Sequence, residues 1–164
     1  MVIVTTEILI DIPVEACFDL ARDMTVHTQT VWKHTKEKAV RGTVAGRIGE
    51  GEVVTFEATH FFIRQKLTSK VVDYKRPSYF VDVMVKGAFK SMRHEHAFED
   101  VHGKTLMRDR LIFEAPLGFL GWIAERIVLK TYMTRFLEHR NRQLKMIAEN
   151  KGKGAERDVQ IRRQ

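Results

Sequence analysis

Residues 87–109, GAFKSMRHEHAFEDVHGKTLMRD, hold a His-Glu-His triplet and a following aspartate inside an alternating pattern of apolar residues. Imidazoles and a carboxylate at such spacing support three chemistries. A His–Asp pair orients a general base. Histidines at i and i+2 of one strand can both reach a metal ion. The same groups can also form the polar floor of an otherwise apolar ligand cavity. Which of these applies depends on where each side chain points, and so on strand register.

Charge pairing fixes a predicted register. A tight turn at 101–104 sets Phe98 opposite Met107, His96 opposite Asp109 and His94 opposite Leu111, with Glu95 facing Arg110 on the other side. A turn at Gly87-Ala88 sets Val83 opposite Met92, Val81 opposite His94, and Asp82 opposite Arg93 on the outer side. Opposite charges then meet on one face and apolar groups on the other, and a one-residue slip would mix the two. The inward face so read carries His94, His96, Asp109, Phe98, Met107, Leu111, Val81, Val83 and Met92. Phe56 and His60 share a face of an earlier strand, and Trp32 lies near the second short helix. These twelve are the candidate ligand-binding residues.

Catalytic and metal readings are weaker on the sequence. Cys17, the single cysteine, falls on the apolar stripe of a short helix, and no other nucleophile partners the histidines. A metal would need Asp109 or His60 beside His94 and His96, a spacing that arises easily by chance. No catalytic residue, metal or cofactor is therefore assigned.

The elements that must position these groups follow from periodicity. Strand character covers 2–11, with Ile8, Ile10 and Ile12 on one side. Asp11-Ile12-Pro13 opens a short helix with an apolar stripe of Ala16, Cys17, Leu20 and Ala21, and a second short helix spans about 24–32. Six strands follow at about 35–42, 50–60, 62–74, 78–87, 89–100 and 104–115. From 118 to 150 the period becomes helical: Trp122, Leu129, Met133, Phe136, Arg140, Leu144 and Ile147 form one largely apolar stripe. Such an order predicts an α+β fold, a curved antiparallel sheet of about seven strands wrapped around a long C-terminal helix, with space between them.

The chain has 164 residues, 44% apolar and 30% charged, which fits one soluble domain over 1–150. No apolar run approaches the roughly 18 residues of a membrane span, and the N-terminus reads as a strand rather than a signal peptide. With one cysteine, a cytoplasmic setting is expected. Of the net charge of +7, the stretch 151–164 supplies +3; its composition predicts a disordered basic tail. No aromatic-plus-basic stripe predicts specific nucleic-acid binding. Phe119, Leu120, Trp122 and Ile123, beside Arg126 and Lys130, are either covered by the sheet rim or form a surface for transient membrane contact or a protein partner.

Several segments resemble the START-like superfamily, also called SRPBCC or Bet v 1-like, with its helix-grip fold. They are Ile12-Pro13-Val14-Glu15 with Cys17-Phe18-Asp19, the run from Arg76-Pro77 to Phe80-Val81-Asp82, Gly87-Ala88-Phe89, and Pro116-Leu117-Gly118. The most specific is Arg93-His94-Glu95-His96-Ala97-Phe98 followed by Gly103-Lys104-Thr105 and Asp109, which is similar to bacterial SRPBCC proteins described as ligand-binding or cell-division-inhibitor-like. Phe61-Phe62 departs from that subgroup, which has glycine after one aromatic there. The resemblance implies a deep apolar cavity for a lipid, quinone or aromatic polyketide-like molecule in a monomer or homodimer. It leaves the mechanism open, because the superfamily includes transporters, cyclases and hydroxylase domains. The leading expectation is binding or transport of a hydrophobic small molecule. Its rivals are a cyclase- or hydrolase-type enzyme using the His–Asp pair, and a regulatory partner module.

Overall fold

Along β6 (Ser91–Val101) and β7 (Lys104–Glu114), buried and exposed side chains alternate with the two-residue period of strands covered on one face. The computed structural model describes residues 1–115 and 128–161, from 154 onward by backbone alone. The other strands are β1 (Val2–Ile10), β2 (Lys38–Gly42), β3 (Val53–His60), β4 (Ile63–Lys75) and β5 (Tyr79–Lys86). All seven form one antiparallel sheet in the order β1-β7-β6-β5-β4-β3-β2. The first strand thus joins the last, and β6 and β7 lie well inside the sheet.

Two short helices, α1 (Val14–Ala21) and α2 (Met24–Thr30), follow β1. Pro13 starts α1, where a missing N–H costs nothing. The face α1 buries is Cys17, Phe18 and Ala21, whereas Ala16, on the predicted stripe, is exposed. Phe18 is the hub: its ring meets Tyr74, Phe80 and Phe98 edge-on at 5.4, 5.6 and 5.2 Å. Asp23 caps α2, its Oδ1 accepting from the Thr25 and Val26 amides.

The long helix α3 (Lys130–Ile161) continues past Asn150, through part of the stretch whose composition predicts a disordered tail. Its buried residues Phe136, Leu137, Arg140, Asn141, Leu144 and Ala148 recur at three- and four-residue spacing. Polar pins fix it to β1: Asn141 donates to Thr6, Lys145 to the Leu9 carbonyl, and Glu149 accepts from the Asp11 amide. The Pro116-Leu117-Gly118 step and the 119–123 surface lie outside the described residues. Among those described, no helix is long and apolar enough to cross a membrane.

The β6–β7 register is the predicted one, with His96 opposite Asp109, His94 opposite Leu111 and Glu95 opposite Arg110. The β5–β6 register is not. Phe80 faces His96, Asp82 faces His94 and Val83 faces Arg93, a slip of one residue. The cause is the 87–90 connection, which is no tight turn at Gly87-Ala88. Phe89 packs on Phe113 at 5.2 Å and the Lys90 amide donates to the Glu114 carbonyl, drawing the loop over the sheet. Val81 and Val83 therefore share the face of Glu95 and Arg93, and Asp82 turns inward with the histidines.

The β3–β4 turn is Phe61-Phe62, between the paired residues His60 and Ile63. Its φ angles of 51° and 65° are both positive, as two-residue hairpin turns with right-handed strand twist demand. Phe62 is 103% exposed and buries nothing in return for this backbone. Phe62→Gly should raise stability by about 1 kcal/mol, read as a higher melting temperature. An unchanged or lower value would show that the turn is unstrained.

Candidate functional site

Between the sheet and α3 lies a cavity of about 370 Å³, within the roughly 300–1,000 Å³ of small-molecule sites. Its walls are mostly apolar: Val54, Phe56 and Ala58 from β3, Met92 from β6, Leu111 from β7, and Met133, Phe136 and Leu137 from α3. Buried or half-buried polar groups interrupt them, among them His27, Glu37, Asp82, His94, His96 and Arg140.

β6 presents His94 and His96 inward because both sit on the even-numbered, buried side of its alternation. Asp109 follows from the β7 register and lies beneath them. Its Oδ1 is 2.6 Å from His96 Nδ1 and 3.3 Å from His94 Nε2, as charge contacts outside hydrogen-bond alignment. Its Oδ2 accepts from Asn141 of α3 at 2.6 Å. On the other side, His96 Nε2 meets Asp82 Oδ1 at 3.3 Å, and Asp82 Oδ2 accepts from Ser69. Phe80 stacks on the His96 ring at 4.3 Å. His96 thus stands between two carboxylates.

Burial alone would lower the His96 pKa, but Asp109, then Asp82, outweigh it and hold it above the ordinary 6.5. Burial and then the His96 charge push His94 down to about 4. Burial opposes ionisation of Asp82, yet His96 and His94 draw it down to about 2, and Asp109 is held well below its usual range in the same way. His96 therefore holds its proton to a higher pH than an ordinary histidine, while His94 is neutral and Asp82 is ionised at neutral pH. Cys17, fully buried, has its thiol pushed up to about 12 chiefly by burial, so it is no nucleophile.

The predicted residues separate into four groups. Phe56, His60, Met92, His94, His96 and Leu111 line the cavity. Phe98 and Met107 instead belong to the core packed around Phe18, and Asp109 supports the histidines from behind. Val81 and Val83 are on the other face of the sheet. Trp32 packs on Tyr132 and Phe136 at 5.2 Å each, bracing the aromatic wall without joining the lining. His60 shares a 2.7 Å hydrogen bond with the Tyr132 hydroxyl.

Sequence reasoning missed Asp82, lost through the one-residue slip. It also missed the His27–Glu37 pair, joined at 2.9 Å with His27 stacked on Phe56. Arg140 was legible as a charged residue on the apolar stripe of α3, but its meaning needed the cavity. The ligand atoms of Asp82, His94 and His96 lie within 4.8 Å of one another, so these three, rather than a set completed by Asp109 or His60, could converge on a cation. A cation there would have to displace the Asp82 contact at His96 Nε2.

The family model described as polyketide cyclase / dehydrase and lipid transport matches residues 1–149. Among solved structures, the protein TTHA0849 of Thermus thermophilus superposes with a TM-score of 0.71 at 16% identity, over 91% of this chain and 98% of that one. A START superfamily protein from Mycobacterium smegmatis gives 0.69 at 14%, over 90% and 97%. The major latex-like protein 151 of Panax ginseng gives 0.65 at 13%, over 90% and 97%. At these identities the likeness is one of fold, the helix-grip arrangement of sheet and terminal helix. No curated protein matches the sequence.

The protonation pattern is directly measurable. Imidazole nitrogen NMR over a pH series should find His96 keeping protons on both nitrogens to a higher pH than a free histidine, and His94 carrying one at pH 7 and titrating near pH 4. Because His94 takes up its proton more readily unfolded than folded, it makes stability fall as pH drops from 6.5 toward 4. His94→Asn should flatten that limb of the melting curve. A doubly protonated His94 at pH 7 would refute the assignment.

Proposed function

We propose that this chain, which belongs to the family described as polyketide cyclase / dehydrase and lipid transport, binds or carries a hydrophobic small molecule in the cavity between its sheet and α3. The carrying observation is the cavity itself: apolar walls from three strands and a helix, with few convergent polar groups. Apolar burial would supply the affinity, at about 25 cal/mol per Å² removed from water. His94 and His96, held by Asp109 and Asp82, would set the orientation of a lipid, a quinone or an aromatic polyketide-like ligand. The closer similarity to bacterial SRPBCC proteins of the cell-division-inhibitor-like subgroup, and a cytoplasmic setting, belong to the same reading.

An acid–base enzyme of the cyclase type is the second reading, favoured by one observation: His94 lines the cavity and its Nε2 lacks a hydrogen bond. A base with a pKa near 4 is a weak proton acceptor at neutral pH. That argues for recognition over proton abstraction.

Native mass spectrometry of freshly purified protein, with organic extraction, tests the proposal. A co-purifying hydrophobic compound, or saturable binding of a fatty acid, a quinone or an environment-sensitive dye, is the expected result. Ala58→Phe, which fills the cavity from β3, should weaken that binding by about tenfold or more, a loss of about 1.4 kcal/mol, without lowering the melting temperature. Protein that carries nothing and binds none of these probes would end the carrier reading.

A further inference from the structure

One charged side chain in the cavity wall is left without a partner. Arg140 sits on the apolar stripe of α3, one turn beyond Phe136 and Leu137 and one before Leu144. It is only 9% exposed and lines the cavity. Every other charged group in the buried network touches a neighbour: Asp82 meets His96 and Ser69, Asp109 meets His96 and Asn141, and Glu37 meets His27. Among the described residues, the Arg140 guanidinium has no hydrogen bond, ion pair or ring contact, and it makes none elsewhere in the chain. Nor are its nitrogens among the polar atoms sealed without a partner in the packed interior, as His94 Nε2 and Asp109 Oδ1 are. They keep some access, and Arg140 is one of the residues that line the cavity.

An arginine cannot shed its charge to suit an apolar site, and a buried charge without a partner is strongly unfavourable. Nearby acids ease this only at a distance. Arg140 acts on Glu37 through space but stands beyond the 4.0 Å of an ion pair. Resting on the cavity reading above, we infer that Arg140 is the anchor for an anionic head group, and that the ligand is an amphiphile bearing a carboxylate. The guanidinium fork matches a carboxylate with two parallel N–H···O bonds. A phosphate dianion fits less well. The remaining charged groups of the wall are Glu37 and Asp82, both acids, His96, already held between two carboxylates, and Lys66, which is turned outward against Glu57. A single unpaired cation suits a single negative charge.

The matched pair decanoic acid and decanol separates head group from tail. Calorimetric titration of the full chain should show the acid binding at least about tenfold tighter than the alcohol. In Arg140→Gln the acid-to-alcohol ratio should fall to near one. Equal affinities in the unsubstituted protein would overturn the anchor while leaving the cavity reading intact, and so would an acid preference that survives in Arg140→Gln. Binding of neither compound would overturn the cavity reading itself. Should Arg140→Gln not fold, decanoic acid carrying a carbon-13 carboxyl gives the answer on the unsubstituted protein. Bound at Arg140, its carboxyl should stay ionised to a lower pH than in free solution. A carboxyl that instead becomes easier to protonate on binding would refute the inference.

Discussion

A buried carboxylate, Asp109, and a half-buried one, Asp82, are held close under one sheet by the imidazole of His96 between them. Asp82 and Asp109 come from strands on either side of β6, and His96 of β6 reaches both. Removing one member of such a buried set typically costs about 3–5 kcal/mol, against a net stability of about 5–15 kcal/mol for a domain. The cluster therefore stands or falls as a unit. It also ties β5, β6 and β7 to the helix, since Asn141 of α3 completes Asp109 and reaches on to Thr6 of β1.

That constraint explains why the register must be what it is. With Asp82 outward, His96 would face one acid and the apolar Val81 would occupy the acid's place. The 87–90 loop prevents this by burying Phe89 against Phe113, which takes more chain than a tight turn. Gly87 lies close under this loop: a Cβ there would come within 2.5 Å of Met84 Sδ and 2.7 Å of Leu67 Cδ1, so those side-chain ends would have to move aside. Shifts in the β4–β5 pairing at Thr68/Ser69 and Val71/Asp73 belong to the same region, and Ser69 is buried against Asp82 there.

Elements were legible in the sequence wherever local periodicity and local turns decide them. Alternation in β6 and β7, closed by the short turn at 101–104, put His94, His96 and Asp109 on one face with their correct partners. The β5–β6 hairpin failed because its loop is shaped by a long-range contact, Phe89 with Phe113, that no local charge pattern reports. Asp82 and Arg93 looked like a cross-strand pair; in fact Arg93 pairs with Glu95 on its own strand at 2.8 Å. Phe98 and Met107 were correctly turned inward but sit deeper, under Phe18, since alternation gives a face and not a depth. Arg140 shows the same limit. Its place on the stripe is one-dimensional information, and its lack of a partner exists only in three dimensions.

The polar groups of this cavity differ in whether they have chemistry left to offer. His96 has a carboxylate at each ring nitrogen, Asp82 and Asp109 are bound to their neighbours, and Glu37 is held by His27. Groups so engaged rigidify a wall and make poor acid–base catalysts, because each proton transfer would break a buried contact. His94, neutral at pH 7, turns its Nε2 toward Asp109, whereas Arg140 is charged and unpaired. His94 offers a neutral imidazole to the wall and Arg140 a fixed positive charge, the latter in a mostly apolar wall. An apolar wall strengthens the attraction of a charge for an opposite one beside it. The division of labour is therefore between a sheet-borne cluster that satisfies itself and a helix-borne cation that does not, with the ligand's head group as the natural counterpart of the second.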